Sequence, residues 1–178
     1  MKASRLFLIL LCLTFCGSAF GQTQDMDKEL ADLTEKLATK IQSVGKKKLT
    51  VLDFTDLDDA TTELGKYVAE QLTVNLVSGD RKFTVVDRAN LRKLLAEHQL
   101  TAKGLVDPEN AKKFAGLSGV DALIVGTVVP MPPNIKLTAK IISTENGDII
   151  GAGQASFKSD ENVQRLLTHK STESPADE

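Results

Sequence analysis

Both cysteines of this chain, Cys12 and Cys16, stand in one short apolar run near the N-terminus. A fold built from the rest of the sequence therefore has no disulfide, no thiol nucleophile and no thiolate metal site, and apolar burial must hold it together. The run, Leu6 to Cys16, follows Lys2 and Arg5 and precedes Gly17, Ser18, Ala19 and Gly21. Charged, apolar and small residues in that order describe a secretory signal peptide over residues 1–21, and the apolar part is too short to span a bilayer. We expect cleavage after Gly21 and export to the periplasm. The competing reading is a lipoprotein leader ending at Cys16, which would tether the chain to the outer membrane. Leu13 suits it, but Phe15 is bulky where a small residue is wanted.

The formal charge of the whole chain is −2, and the leader carries Lys2 and Arg5 but no acid, so the chain beyond Gly21 is more acidic still. Such a balance gives no electrostatic reason to bind nucleic acid or anionic lipid. With one Tyr and no Trp, platforms for stacking bases or sugars are also missing. No segment after the leader is apolar enough to be a transmembrane span.

The remaining sequence alternates between two periods. Met26, Leu30, Leu33, Leu37, Ile41 and Val44 recur at steps of three and four, which predicts an amphipathic helix within residues 22–45, stopped at Gly45. Its stripe either faces the body of the domain or forms the seam of a homo-oligomer. An apolar strand from Leu49 to Phe54 comes next, then a helix from Thr62 to Ser78. A short strand from Phe83 to Val86 leads to Asp87, the cap of a helix carrying Leu91, Leu94 and Leu95. A loop through Thr101 and Gly104 reaches Asp107-Pro108-Glu109, a cap with proline at the first helical position.

Beyond Gly119 the period becomes two. Ala122 to Val129 reads as a strand buried on both faces. Pro130, Pro132 and Pro133 turn the chain. Ile135, Leu137, Ala139 and Ile141 then alternate with Lys136, Thr138 and Lys140, so that the two lysines would guard an edge strand. Asn146-Gly147 is a two-residue hairpin signal before Ile149 to Phe157. A short helix from Asp160 to Leu167 and a polar, disordered tail from Ser171 to Glu178 occupy 159–178. The expected fold is α/β: one mixed β-sheet in the order βαβααβββ over 46–158, with helices packed on it, behind the N-terminal amphipathic helix.

Reactive constellations are scarce. The turn after the first strand holds Asp56, Asp58 and Asp59 where a nucleotide-binding domain would place glycines. Counted as a calcium loop from Asp56, its sixth residue is Thr61 and its twelfth Tyr67, so the ligand pattern fails. The carboxylates more plainly solvate the turn and face the positive end of the next helix. Gly151-Ala152-Gly153 resembles a dinucleotide fingerprint without the helix that would receive the pyrophosphate; small residues there let a helix or strand approach closely. His98 and His169 have no metal-ligand spacing, and no serine has a nucleophile-elbow context. Arg88, directly after its cap, could bind a partner's carboxylate or pair with an acid of its own domain. We expect no enzyme, no cofactor and no metal.

Four stretches, "KKLTVLDFTDLDDATTELGKYVAEQLTVNLV", "FTVVDRANLRKLLAEH", "GLVDPENAKKFAGLSGVDALIVGTV" and "IKLTAKIISTENGDIIGAGQASF", resemble in the same order the FlgO-type domain family, related to the curli-secretion CsgG family and to LpoB periplasmic domains. The specific parts are Val86-Asp87-Arg88 with Leu91, Gly104 to Pro108, and Gly119-Val120-Asp121-Ala122 leading to Gly126-Thr127. The resemblance implies a non-enzymatic periplasmic or outer-membrane-associated accessory domain that supports assembly of a flagellum- or curli-type envelope structure through protein contacts. The long hairpins with which curli secretins build a barrel are missing, because the joins at 56–61 and 117–120 are short. The candidate contact surfaces are the turn at Asp56, Asp58 and Asp59, then Arg88, and the loop of Pro130, Pro132 and Pro133. The rival readings are a periplasmic nucleotide- or small-ligand-binding protein and a homo-oligomer built on the N-terminal helix.

Overall fold

The computed structural model describes residues 24–100, 104 and 107–168. The leader with Cys12 and Cys16, Thr101, His169 and the tail from Ser171 lie outside the described residues. The elements are α1 (Gln24–Ser43), β1 (Lys48–Val51), α2 (Glu63–Ser78), β2 (Thr84–Val85), α3 (Arg88–Glu97), α4 (Pro108–Ser118), β3 (Ala122–Met131), β4 (Asn134–Ser143), β5 (Ile149–Lys158) and α5 (Glu161–Thr168). The expected βαβααβββ order and the preceding helix are present. The strands form one mixed sheet in the order β2-β1-β3-β4-β5, parallel between β1 and its two neighbours and antiparallel from β3 onward.

Local signals place the helices. Thr62 caps α2, its hydroxyl accepting from the Gly65 N–H at 3.1 Å. Asp107 caps α4 ahead of Pro108, and Gly119 closes that helix at φ 65°, donating its N–H to the Ala115 carbonyl.

Alternation along β1 and β3 builds two cores. Leu49, Val51, Ala122, Ile124 and Val128 face one side, where α1, α2 and α5 bring Leu30, Leu33, Leu37, Ile41, Leu64, Val68, Leu72, Leu76 and Val163. Leu52, Leu123, Val125 and Ile142 face the other, beneath Leu91 and Leu95 of α3 and Phe114 of α4. Each such valine, leucine, isoleucine or phenylalanine side chain stabilises the fold by about 1.5–3 kcal/mol when withdrawn from water.

The stripe of α1 lies inside this core. Leu30, Leu33, Leu37, Ala38 and Ile41 are fully buried within the chain's own fold. It is therefore not available as the seam of a homo-oligomer, because β5 and α2 already cover it. The glycines of β5 make that seat: a Cβ at Gly151 would stand 2.6 Å from Lys40 Cγ, and one at Gly153 would stand 2.6 Å from Leu33 Cδ1.

Three local expectations are corrected. Lys136 and Lys140 do not guard an edge, since β4 is hydrogen-bonded to both β3 and β5. Pro130 belongs to β3, paired with Ile135, and the turn proper is Pro132-Pro133 between the register partners Met131 and Asn134. Proline is rare in interior strands, which is why the run reads as one loop. Here the strand has passed beyond β1, so Pro130 faces no partner on that side. Lastly, Asn146-Gly147 sits in a four-residue loop, closed by Gly147 N–H to Ser143 carbonyl and Ser143 N–H to Asp148 carbonyl. Of its residues only Gly147 has positive φ and Asn146 does not, so neither two-residue hairpin turn, which needs positive φ at the first central residue, forms there.

Candidate functional site

The acidic turn is a fixed structure. The Asp56 carboxylate accepts the N–H groups of Asp58 and Ala60, both at 2.8 Å, and the Asp56 N–H donates to the Ala60 carbonyl at 2.9 Å. Thr55 bridges to Thr61 across the turn and to Thr127 of β3, and its carbonyl accepts from the Val128 N–H. Asp59 takes φ 65°, a region that short polar side chains tolerate. Asp58 and Asp59 are exposed, and between them and Asp56 stands Leu57, 70% exposed. Among the described residues it is the most exposed large apolar side chain. The signal for it in the sequence is a lone leucine among acids, easily overlooked beside the carboxylates.

The proline hairpin lies at the same end of the sheet. β1, β2 and β3 run parallel, the turn follows the end of β1, and the β3–β4 tip follows the end of β3. Pro130, Met131, Pro132 and Pro133 are all exposed there, Met131 by 56%. Arg88 begins α3 just beyond β2, again at this end. Its guanidinium is occupied at home, with Nη2 3.0 Å from Glu70, Nε 3.5 Å from Asp53 and Nη1 donating to the Lys66 carbonyl. Arg88 thus ties α3 to α2 and to the segment just after β1, and these partners do not include Asp56, Asp58 or Asp59.

Those residues that look most distinctive in the sequence hold the sheet together. Asp121 accepts the N–H groups of Lys47 and Lys48 at 3.0 and 2.9 Å and returns its own N–H to the Lys48 carbonyl, so the starts of β1 and β3 are clasped. Thr144 locks the same corner, its hydroxyl donating to the Val120 carbonyl. Gly126 lies under the Phe54 ring, where a Cβ would stand 2.2 Å from Cε1.

The opposite end of the sheet holds a shallow cleft of about 320 Å³, lined by Lys46, Ala115, Gly119, Val120, Asp121, Thr144 and Glu145. It adjoins the starts of β1 and β3, whereas ligands of open α/β sheets bind beyond the carboxyl ends. Among the described residues no group of His, Cys, Asp or Glu is placed to hold a metal ion. Among the same residues no helix is long and apolar enough to cross a membrane.

A family model described as "Curli production assembly/transport component CsgG" matches residues 34–164. Solved structures with the same fold include the LpoB C-terminal domain from Salmonella enterica, at 18% identity and TM-score 0.57 over 76% of this chain and 99% of that one. The LpoB C-terminal domain from Escherichia coli follows at 15% identity and TM-score 0.54, over 73% and 98%. Escherichia coli LpoB in solution gives 16% and 0.56, over 74% and 68%. No curated protein matches the chain in sequence.

Proposed function

The chain belongs to the CsgG family of curli production assembly/transport components, and from that premise we propose that it is a non-enzymatic accessory protein of the cell envelope. It acts in the periplasm, in solution or tethered at the outer membrane, and supports assembly of a surface structure of the flagellar or curli kind by binding proteins. The observation that carries this reading is the end of the sheet where a fixed acidic turn presents Leu57 beside the exposed proline hairpin. Asp56, Asp58, Asp59, Pro130, Pro132 and Pro133 form the contact surface. Arg88 supports it from behind by holding α3 against Asp53 and Glu70.

Replacing Asp56, Asp58 and Asp59 together by Asn tests this. Asn keeps an oxygen to accept the N–H groups of Asp58 and Ala60, so the melting temperature is expected to stay put while capture of envelope proteins weakens. An unchanged set of captured proteins removes the turn from the proposal. Mass spectrometry of the mature N-terminus tests the location: a free Gln22 marks a soluble chain, an acylated Cys16 a tethered one, and a retained leader contradicts export.

A further inference from the structure

The second face of the sheet is covered over only part of its area. α3 and α4 lie on Leu123, Val125 and Ile142. Beyond them Lys136 and Lys140 of β4, with Ala152, Gln154, Ser156 and Lys158 of β5, are exposed on that same face. None of the three lysines is paired with a carboxylate among the described residues. In a chain of net charge −2 this is a local excess of positive charge.

The face runs out to an open strand edge, since among the described residues β5 pairs with β4 alone. Met131 pairs with Asn134 across the tight turn and the Ser159 N–H donates to the Pro133 carbonyl, which fixes the alternation through β4 into β5. Odd-numbered residues of β5 turn their backbone groups to β4, so Ala152, Gln154, Ser156 and Lys158 turn theirs outward. Other margins are blunted. β2 has two residues, and where β3 passes the acidic turn Pro130 stands two residues after Val128, on the same side, with no N–H to offer. β5 is ten residues long and has no proline; its one irregularity, a bulge at Ile150, lies at its start, before the stretch from Gly151 to Lys158.

We propose that β5 receives an extended acidic segment of a partner protein as a sixth strand, whose carboxylates meet Lys136, Lys140 and Lys158. The outward N–H and carbonyl groups supply main-chain hydrogen bonds, and alternate side chains of the added strand fall on the lysine face. Two strand spacings, about 10 Å, separate the β4 lysines from such a strand. The residues between are small: Ala152 is the register partner of Lys140 and Ser156 that of Lys136. Long ammonium and carboxylate side chains span that gap. A second copy of this chain fits poorly, because β5 against β5 would gather two sets of lysines on one face. The inference rests on the chain being a protein-binding module.

The probe is a labelled peptide of alternating threonine and glutamate, matched in length to β5, with a threonine–lysine peptide as its control. The purified protein is expected to bind the acidic peptide and not the basic one. Lys136→Glu with Lys140→Glu should weaken binding about tenfold. Hydrogen exchange should slow at the amides of Ala152, Gln154 and Ser156. Gln154→Pro removes one outward donor without touching the ladder to β4 and should abolish binding; Ser156→Pro serves if that variant melts early. No binding, equal binding of both peptides, protection elsewhere, binding that survives the proline, or dimerisation through β5 would each overturn the proposal. Such a failure leaves the Asp56–Asp59 capture experiment unaffected, so the two readings fall separately.

Discussion

The δ1 methyl of Leu33 occupies the space above Gly153, 2.6 Å from where a Cβ of that residue would stand. This contact seats the first helix on the last strand. Gly153→Val should therefore lift α1 from β5 and cost about 1–3 kcal/mol, the usual range for overpacking a filled core. Urea denaturation followed by circular dichroism measures it.

Gly65 poses a sharper conflict. A Cβ there would lie 2.0 Å from the Phe54 carbonyl oxygen, a backbone atom that cannot swing aside. Alanine is the better helix former by about 1 kcal/mol, yet Gly65→Ala should destabilise by more than about 2 kcal/mol net. A stability gain would show that α2 can move away from Phe54.

Asp121 holds two backbone donors with one oxygen, Oδ2. Asp121→Ala leaves both N–H groups without that acceptor and should cost about 1–3 kcal/mol. Asp121→Asn retains an acceptor oxygen and should cost less. Equal losses in the two variants would mean that the charge, and not the acceptor, matters.

Glu35 and Arg81 give a pH signature. A hydrogen bond from Arg81 at 2.6 Å, and then its charge, hold the Glu35 carboxyl below its ordinary value of 4.5. A carboxylate whose folded value is depressed stabilises the fold above its unfolded value and loses that contribution as pH falls through the folded one. Arg81→Gln should therefore lower stability at neutrality and make it less steep in pH below 4.5, the two proteins converging in acid, as acid titrations of both would show.

Much of the architecture is legible in the sequence because it rests on local signals. Thr62 and Asp107 announce their helices, and Ala122 to Val129 reads as a strand buried on both sides because α2 and α4 cover its two faces. Strand order is not legible. Lys136 and Lys140 alternate with apolar residues as an edge strand's would, but alternation reports one uncovered face and says nothing of neighbours on either side. The candidate site is half legible: acidic and proline turns announce themselves, and parallel pairing of β1 with β2 and β3 gathers them at one end. Arg88 looks like a free charge because Asp53 and Glu70, its partners, are remote in sequence.

Docking of α1 on β5 also sets an order of events. The helix is made early and its seat is made last, so the leucines on its inner side stay bare until nearly the whole domain has been delivered. Any chain emerging N-terminus first must keep that greasy surface from straying throughout its passage. A truncation that stops short of Ile149 deprives the helix of its berth as surely as deleting the helix itself.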